Sequence, residues 1–253
     1  MTLSQNNPQR ALDSDRRPVL LLIPGMLNTS RIWSRVAPLL QDQFDIRIAN
    51  VTQQASISEM ARDAWAMVSG LPKTRRLIIC GFSMGGYVAL QLVADNLASS
   101  DEQYNWALAL LNTSSRGETN EGRALRLKTI RAMERDFERT MVGIANFGIH
   151  KLNQNDTTLM AETTSIMRET GAATASRQLL AIMERNDHRS LLPRILAKTL
   201  VISSQDDSVV LPEASIEMAS GIPAARLAWI EAAGHMTPLE QPRQLAALIE
   251  TLI

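Results

Sequence analysis

Gly81-Phe82-Ser83-Met84-Gly85-Gly86 is the most informative segment of the chain. It follows the apolar run Leu77-Ile78-Ile79-Cys80 and opens Met84–Asn96, whose apolar residues recur on a helical period. A bare G-x-S-x-G pattern arises by chance in roughly one chain of this length in ten. A strand before it and a helix after it give it weight. The glycines have a physical reason. A serine at the apex of a sharp strand-to-helix turn takes strained backbone angles, and the chain passes close to itself on either side, so Gly81 and Gly85 supply room that side chains would fill. The Ser83 hydroxyl is then expected to project from the carboxyl end of a sheet. The helix behind it turns its N-terminal amides toward any anion forming there.

Outward from this turn, short apolar runs alternate with helix-like stretches, as in a parallel sheet covered on both faces. Strands are expected at 19–23, 44–50, 76–80, 106–111, 199–203 and 226–230. Helices are expected at 57–68, where Ser56 and Glu59 stand at capping-box spacing, and at 84–96, 213–219 and 242–253. Between 115 and 192 the strand pattern stops. There 122–142, 157–169 after the N-cap Asp156, and 172–185 after the helix stop Gly171 read as helices. The expected organisation is a polar N-terminal tail (1–18), an α/β core (19–114 and 193–253), and a helical subdomain (115–192) inserted after the strand at 106–111.

At 253 residues the chain is long enough to bury a full α/β core, and 45% hydrophobic with 21% charged residues suits a soluble globular enzyme. Twenty-six basic residues balance twenty-six acidic ones, so no net field draws the protein to nucleic acid or an anionic membrane. Aromatics are only 4% and are not interleaved with basic residues, which argues further against nucleic acid. The single cysteine, Cys80, lies in an apolar run and reads as a buried structural thiol. With three scattered histidines it makes no metal-ligand spacing, and neither G-x-G-x-x-G nor G-x-x-x-x-G-K-[ST] is present, so no metal or nucleotide cofactor is expected. Residues 1–18 lack the apolar stretch of a secretory signal, and no run approaches the ~18 apolar residues of a spanning helix, so a cytoplasmic protein is expected.

A hydroxyl is a weak nucleophile near neutral pH, so Ser83 needs a base within hydrogen-bond reach. Of the three histidines, His235 in Ala232-Ala233-Gly234-His235-Met236 follows the last expected strand and falls on the same rim as Ser83. His150 and His188 lie in the helical stretch and read as surface or structural histidines. An imidazole base needs an acceptor on its far nitrogen to set its tautomer and orientation. Asp206 and Asp207, both after the strand at 199–203, each qualify on charge. An oxyanion needs donors too. The Met84 amide directly follows the serine, and in Ile23-Pro24-Gly25-Met26-Leu27 the glycine lets the backbone approach, making the Met26 amide the second candidate.

From about Val19 to the C-terminus the sequence resembles the α/β-hydrolase superfamily, specifically its capped small serine carboxylesterase- or lactonase-like members. The matching segments are Leu21-Leu22-Ile23-Pro24-Gly25 with Trp33 downstream, Gly81 to Gly86, Thr199-Leu200-Val201-Ile202 leading to Asp206-Asp207-Ser208-Val209-Val210, and Gly234-His235-Met236-Thr237-Pro238. Relatives carry G-x-x-D-x-x-[VI] after the sixth strand of their sheet, and that register implies Asp207 as the acid, with Ser83 as nucleophile and His235 as base. Two positions depart from the pattern: Pro24 stands where relatives have histidine, and Ser204 where they have glycine. The resemblance implies that 115–192 is a cap over the nucleophile. Residues 116–198 hold fourteen Lys/Arg against ten Asp/Glu, a slight excess that either favours carboxylate-bearing substrates or is solvated surface. Met84, Met133, Met141, Met160, Met167 and Met183 either line an adaptable pocket or pack a helical core, and Arg185 with Asp187 reads as an ion pair or a substrate clamp.

The expected function is hydrolysis of a small-molecule carboxylic ester through an acyl-enzyme. With the same triad, the alternatives are lactone, thioester or carbon–carbon bond hydrolysis, and a non-catalytic ligand-binding receptor of this fold is a third reading. The expected partner is a small-molecule ester or lactone, with neither nucleic acid nor membrane.

Overall fold

Along β1 (Val19–Ile23) every residue is buried, because alternate side chains enter two different cores. Leu20 and Leu22 join one hydrophobic layer, whereas Val19, Leu21 and Ile23 join the other. That explains an unbroken apolar run in place of an alternating one. The computed structural model describes residues 17–96 and 105–253. The polar tail expected at 1–18 lies, apart from Arg17 and Pro18, outside them.

The remaining strands are β2 (Asp45–Ile48), β3 (Leu77–Phe82), β4 (Trp106–Leu111), β5 (Lys198–Ser203) and β6 (Ala225–Trp229). They form one parallel sheet in the order β2-β1-β3-β4-β5-β6. All carboxyl ends therefore lie along one edge. β5 and β6 depart from expectation by one residue at their ends, whereas β2 is shorter than 44–50, and β3 runs to Phe82, so the chain passes from sheet to turn without a spacer.

The helices, in chain order, are α1 (Ala37–Leu40), α2 (Ile57–Ala66), α3 (Met84–Asn96), α4 (Asn120–Arg135), α5 (Phe137–Gly148), α6 (Thr157–Thr170), α7 (Ala172–Met183), α8 (Pro212–Gly221), α9 (Thr237–Glu240) and α10 (Pro242–Glu250). The Ser56 hydroxyl accepts from the Glu59 N–H and the Glu59 carboxylate accepts from the Ala55 N–H, which starts α2 where capping-box spacing expects it. Ten of the thirteen residues of α3 are buried, from Met84 to Val93, so it is the central helix behind the sheet.

Between β4 and β5 the chain is helical, with α4, α5, α6 and α7 packed on one another. The single helical pattern at 122–142 is two helices. Asp136 leaves helical geometry at φ −156° and its side chain accepts from the Arg139 N–H, ending α4 and capping α5. Gly171, at φ +78°, separates α6 from α7 as expected of a helix stop. Met133, Met141, Leu159 and Ile166 of this segment join the same hydrophobic layer as Leu20 and Leu22, so the insertion shares the main core. Among the described residues no helix is long and apolar enough to cross a membrane.

Candidate active site

Ser83 sits at φ +53°, a conformation that L side chains rarely adopt and that costs on the order of 1–3 kcal/mol. The surroundings leave the chain no alternative. A Cβ on Gly81 would stand 2.3 Å from the Gly85 carbonyl oxygen, and one on Gly85 would stand 2.1 Å from that of Ile23. Gly86 is equally constrained, since its Cβ would meet the Thr113 side chain at 2.3 Å. Thr113 Oγ1 in turn donates to the Ser83 carbonyl at 2.7 Å. The third glycine was therefore as necessary as the first two, and only a residue from the end of β4 reveals why.

Three strand ends then meet. The His235 Nε2 lies 2.9 Å from Ser83 Oγ, and its Nδ1 lies 2.9 Å from Asp207 Oδ2. An ionised carboxylate only accepts, so Nδ1 carries the proton of the neutral ring and Nε2 is left to accept from the Ser83 hydroxyl. Asp207 Oδ1 takes the Val209 and Val210 N–H groups at 2.8 and 3.0 Å, and Oδ2 also takes Asn112 Nδ2 at 2.8 Å. Burial alone raises this carboxyl. The His235 ring, the Val210 amide and the Asn112 side chain outweigh burial and hold it below the ordinary carboxylate value. Asp206 is the other case: its side chain is 64% exposed and faces His150 Nε2 at 3.3 Å.

Asn112 was not anticipated. It follows β4 directly, wholly buried at φ +46°, and its Oδ1 accepts from Thr237 Oγ1 at 2.8 Å. Its place at a strand end was readable, but its partner was not. Ser204, one of the two departures from the family pattern, is put to use: its buried hydroxyl donates to the Gly234 carbonyl at 2.7 Å and ties the Asp207 loop to the His235 loop. Glu240 braces the same loop. Its Oε1 accepts from the Gly234 and Met236 N–H groups, and its Oε2 from the His150 N–H and Asn153 Nδ2. Burial raises the Glu240 carboxyl despite these donors.

A cavity of about 100 Å³ opens over Ser83, with Met26, Asn28, Met84 and His235 among its walls. The helical insertion supplies Arg126, Ile144, Gly148, Met167 and Ile182. Four of the methionines belong to the hydrophobic cores, and two of these, Met84 and Met167, also line the cavity, whereas Met133 and Met141 do not. Gly25 is needed where the first turn passes the serine, because a Cβ there would lie 3.1 Å from Ser83 Cβ.

The other candidates resolve plainly. His188 is buried with Nε2 3.2 Å from Gln91 Oε1, and burial lowers its pKa, as suits a structural histidine. His150 accepts from the Leu152 N–H at 3.2 Å. The Cys80 thiol is buried and pushed up to about 12 by loss of solvent. Arg185 and Asp187 do not pair with each other. Arg185 Nη1 contacts Glu118 at 2.9 Å, and Asp187 takes Arg189 at 2.6 Å, which helps hold its carboxyl at about 2. Among the described residues no cluster of His, Cys, Asp and Glu suits a metal ion.

A family model described as alpha/beta hydrolase fold matches residues 18–242. A pimeloyl-[acyl-carrier protein] methyl ester esterase of Nitrosomonas europaea is 22% identical over 244 residues, covering 93% of this chain and 95% of that protein. A solved thermophilic esterase from Thermogutta terrifontis superposes with a TM-score of 0.77 at 23% identity, over 93% of this chain and 88% of that one. The enol-lactonase from Burkholderia xenovorans LB400 gives 0.77 at 20% identity, over 93% and 91%. At these identities the two structures share the fold.

Proposed function

Since the chain belongs to the alpha/beta hydrolase fold family, we propose that it is a serine hydrolase cleaving a carboxylic ester of a small molecule. The observation that carries this reading is the continuous hydrogen-bonded line from the Ser83 hydroxyl through the His235 ring to the Asp207 carboxylate. Ser83 Oγ attacks the ester carbonyl while His235 Nε2 takes its proton, and Asp207 stabilises the imidazolium and keeps it oriented. The Met26 and Met84 amides receive the oxyanion. The tetrahedral intermediate collapses as His235 returns the proton to the departing alcohol. Water, deprotonated by the same nitrogen, then attacks the acyl-Ser83 ester, and the carboxylic acid leaves with the serine regenerated.

The helices of 115–192 act in this reading as a cap, supported by the five cavity residues they supply. Lactone opening runs through the same steps, and an enol-lactonase is among the proteins of this fold. The test is stoichiometric labelling of Ser83 by a fluorophosphonate, together with turnover of short p-nitrophenyl esters. Turnover surviving in Ser83→Ala would refute the assignment, and labelling without turnover in the parent chain would favour a ligand-binding receptor.

A further inference from the structure

One charged wall residue of the cavity has no part in the proposed reaction. Arg126, on α4, is the one Lys, Arg, Asp or Glu among the residues around the cavity, which are otherwise mostly apolar. Its Nε donates to Glu118 Oε2, and Arg185 Nη1 donates to that same oxygen at 2.9 Å. One carboxylate thus serves two guanidinium groups. Burial works to raise the Glu118 carboxyl, but the two arginines prevail and hold it low, so it stays ionised and the trio carries a net positive charge.

The two arginines are not equivalent. Arg185 is committed: besides Glu118 it donates to the carbonyls of Arg116, Gly117 and Ile182, and its guanidinium lies 4.6 Å from the centre of the Tyr87 ring. Its side chain is 7% exposed. Arg126 gives up only Nε among the described residues, and its side chain keeps 26% exposure. Glu118 therefore fixes the root of the Arg126 fork and leaves Nη1 and Nη2 for a ligand. Two parallel N–H groups on a planar cation match the two oxygens of a carboxylate.

Resting on the hydrolase reading above, we infer that Arg126 is a specificity residue selecting esters that carry a second, ionised carboxylate, such as monoesters of short dicarboxylic acids. The apolar wall between Arg126 and Ser83 accepts the intervening methylenes. The positive charge left over when one Glu118 carboxylate serves both arginines offsets the desolvation of the distal carboxylate, which an apolar pocket alone would reject.

The experiment compares ionised methyl hydrogen glutarate with methyl pentanoate, in which a methyl replaces the carboxylate, using the full chain near neutral pH. The parent protein should favour the glutarate monoester in kcat/KM. Arg126→Gln should lower that preference about ten-fold or more, chiefly through KM, the size expected of hydrogen bonds to a charged group. Arg126→Lys, which keeps the charge without the fork, should retain part of the preference and guards against a folding defect in the first variant. Glu118 remains paired with Arg185 in both. Equal use of the two esters by the parent protein overturns this inference and leaves the hydrolase reading standing, as does an unchanged preference in Arg126→Gln. Absence of turnover on either ester, with Ser83 unlabelled by a fluorophosphonate, removes the hydrolase reading and this inference together.

Discussion

Gln178 Oε1 accepts the Leu27 backbone N–H at 2.9 Å, joining α7 to the turn after β1 across 151 residues of chain. Gln178 is wholly buried, and its Nε2 donates to the Val51 carbonyl at 2.9 Å. Leu27 stands at φ +59° and directly follows Met26, whose amide is assigned to the oxyanion. The insertion thus holds the turn that carries the proposed donor, through a buried hydrogen bond to the residue next to it. Asn28 assists from within the turn by donating to the Met26 carbonyl at 2.7 Å.

Replacing Gln178 by Leu leaves a buried N–H and a buried carbonyl without partners. Stability should fall by roughly 1–3 kcal/mol per orphaned group. Turnover should fall as well, since a misaimed oxyanion donor forfeits part of its ~3 kcal/mol. Urea unfolding and ester kcat measure the two effects. If kcat is untouched while stability drops, the link to the Met26 amide is wrong.

The neighbouring aspartates should separate sharply. Asp207→Asn keeps the shape but removes the acceptor that sets the ring tautomer, and kcat should fall by on the order of 10³–10⁴. Asp206→Asn alters an exposed group and should stay close to the parent value. Stability has a defined pH dependence too. The folded Asp207 carboxyl lies below its unfolded value, so its contribution is complete above the unfolded value of about 3.9 and is lost as pH falls through the lower folded value. Denaturation midpoints of the parent protein and Asp207→Asn should therefore converge in strong acid. A gap that widens there would contradict the ionised assignment.

Gly85→Ala drives a methyl group against the Ile23 backbone, which cannot rotate away, and should cost about 3 kcal/mol or yield insoluble protein. Gly70→Ala places its Cβ in open space with no positive φ, and should be neutral or stabilise by about 0.4–1 kcal/mol through the unfolded chain. Thermal melts of the two variants decide the matter. Equal melting temperatures would mean that the turn is far more pliable than its contacts imply.

Much of the site was legible because it lies where local patterns change. Gly81-Phe82-Ser83 marks a strand becoming a helix, and Gly234-His235 follows the last strand. Periodicity located all six strands to within a few residues. It failed at 122–142, because Asp136 interrupts the helix without disturbing the apolar pattern on either side. Charge alone left Asp206 and Asp207 equivalent. Their difference is one of surroundings, a buried carboxylate with four donors against an exposed one.

By itself the chain's order of residues determined the alternation of strand and helix, the sharp turn at Ser83, and the histidine on the same rim, since each depends on neighbours a few positions apart. Packing of distant segments set the rest: Asn112 reaches Asp207 from 95 residues away, Gln178 holds the Leu27 amide in the turn after β1, and Arg126 lines the cavity while sharing Glu118 with Arg185. Those outcomes belong to side chains meeting across the sheet edge. Burial and hydrogen-bond geometry there are set by packing of the whole molecule, which no local pattern encodes.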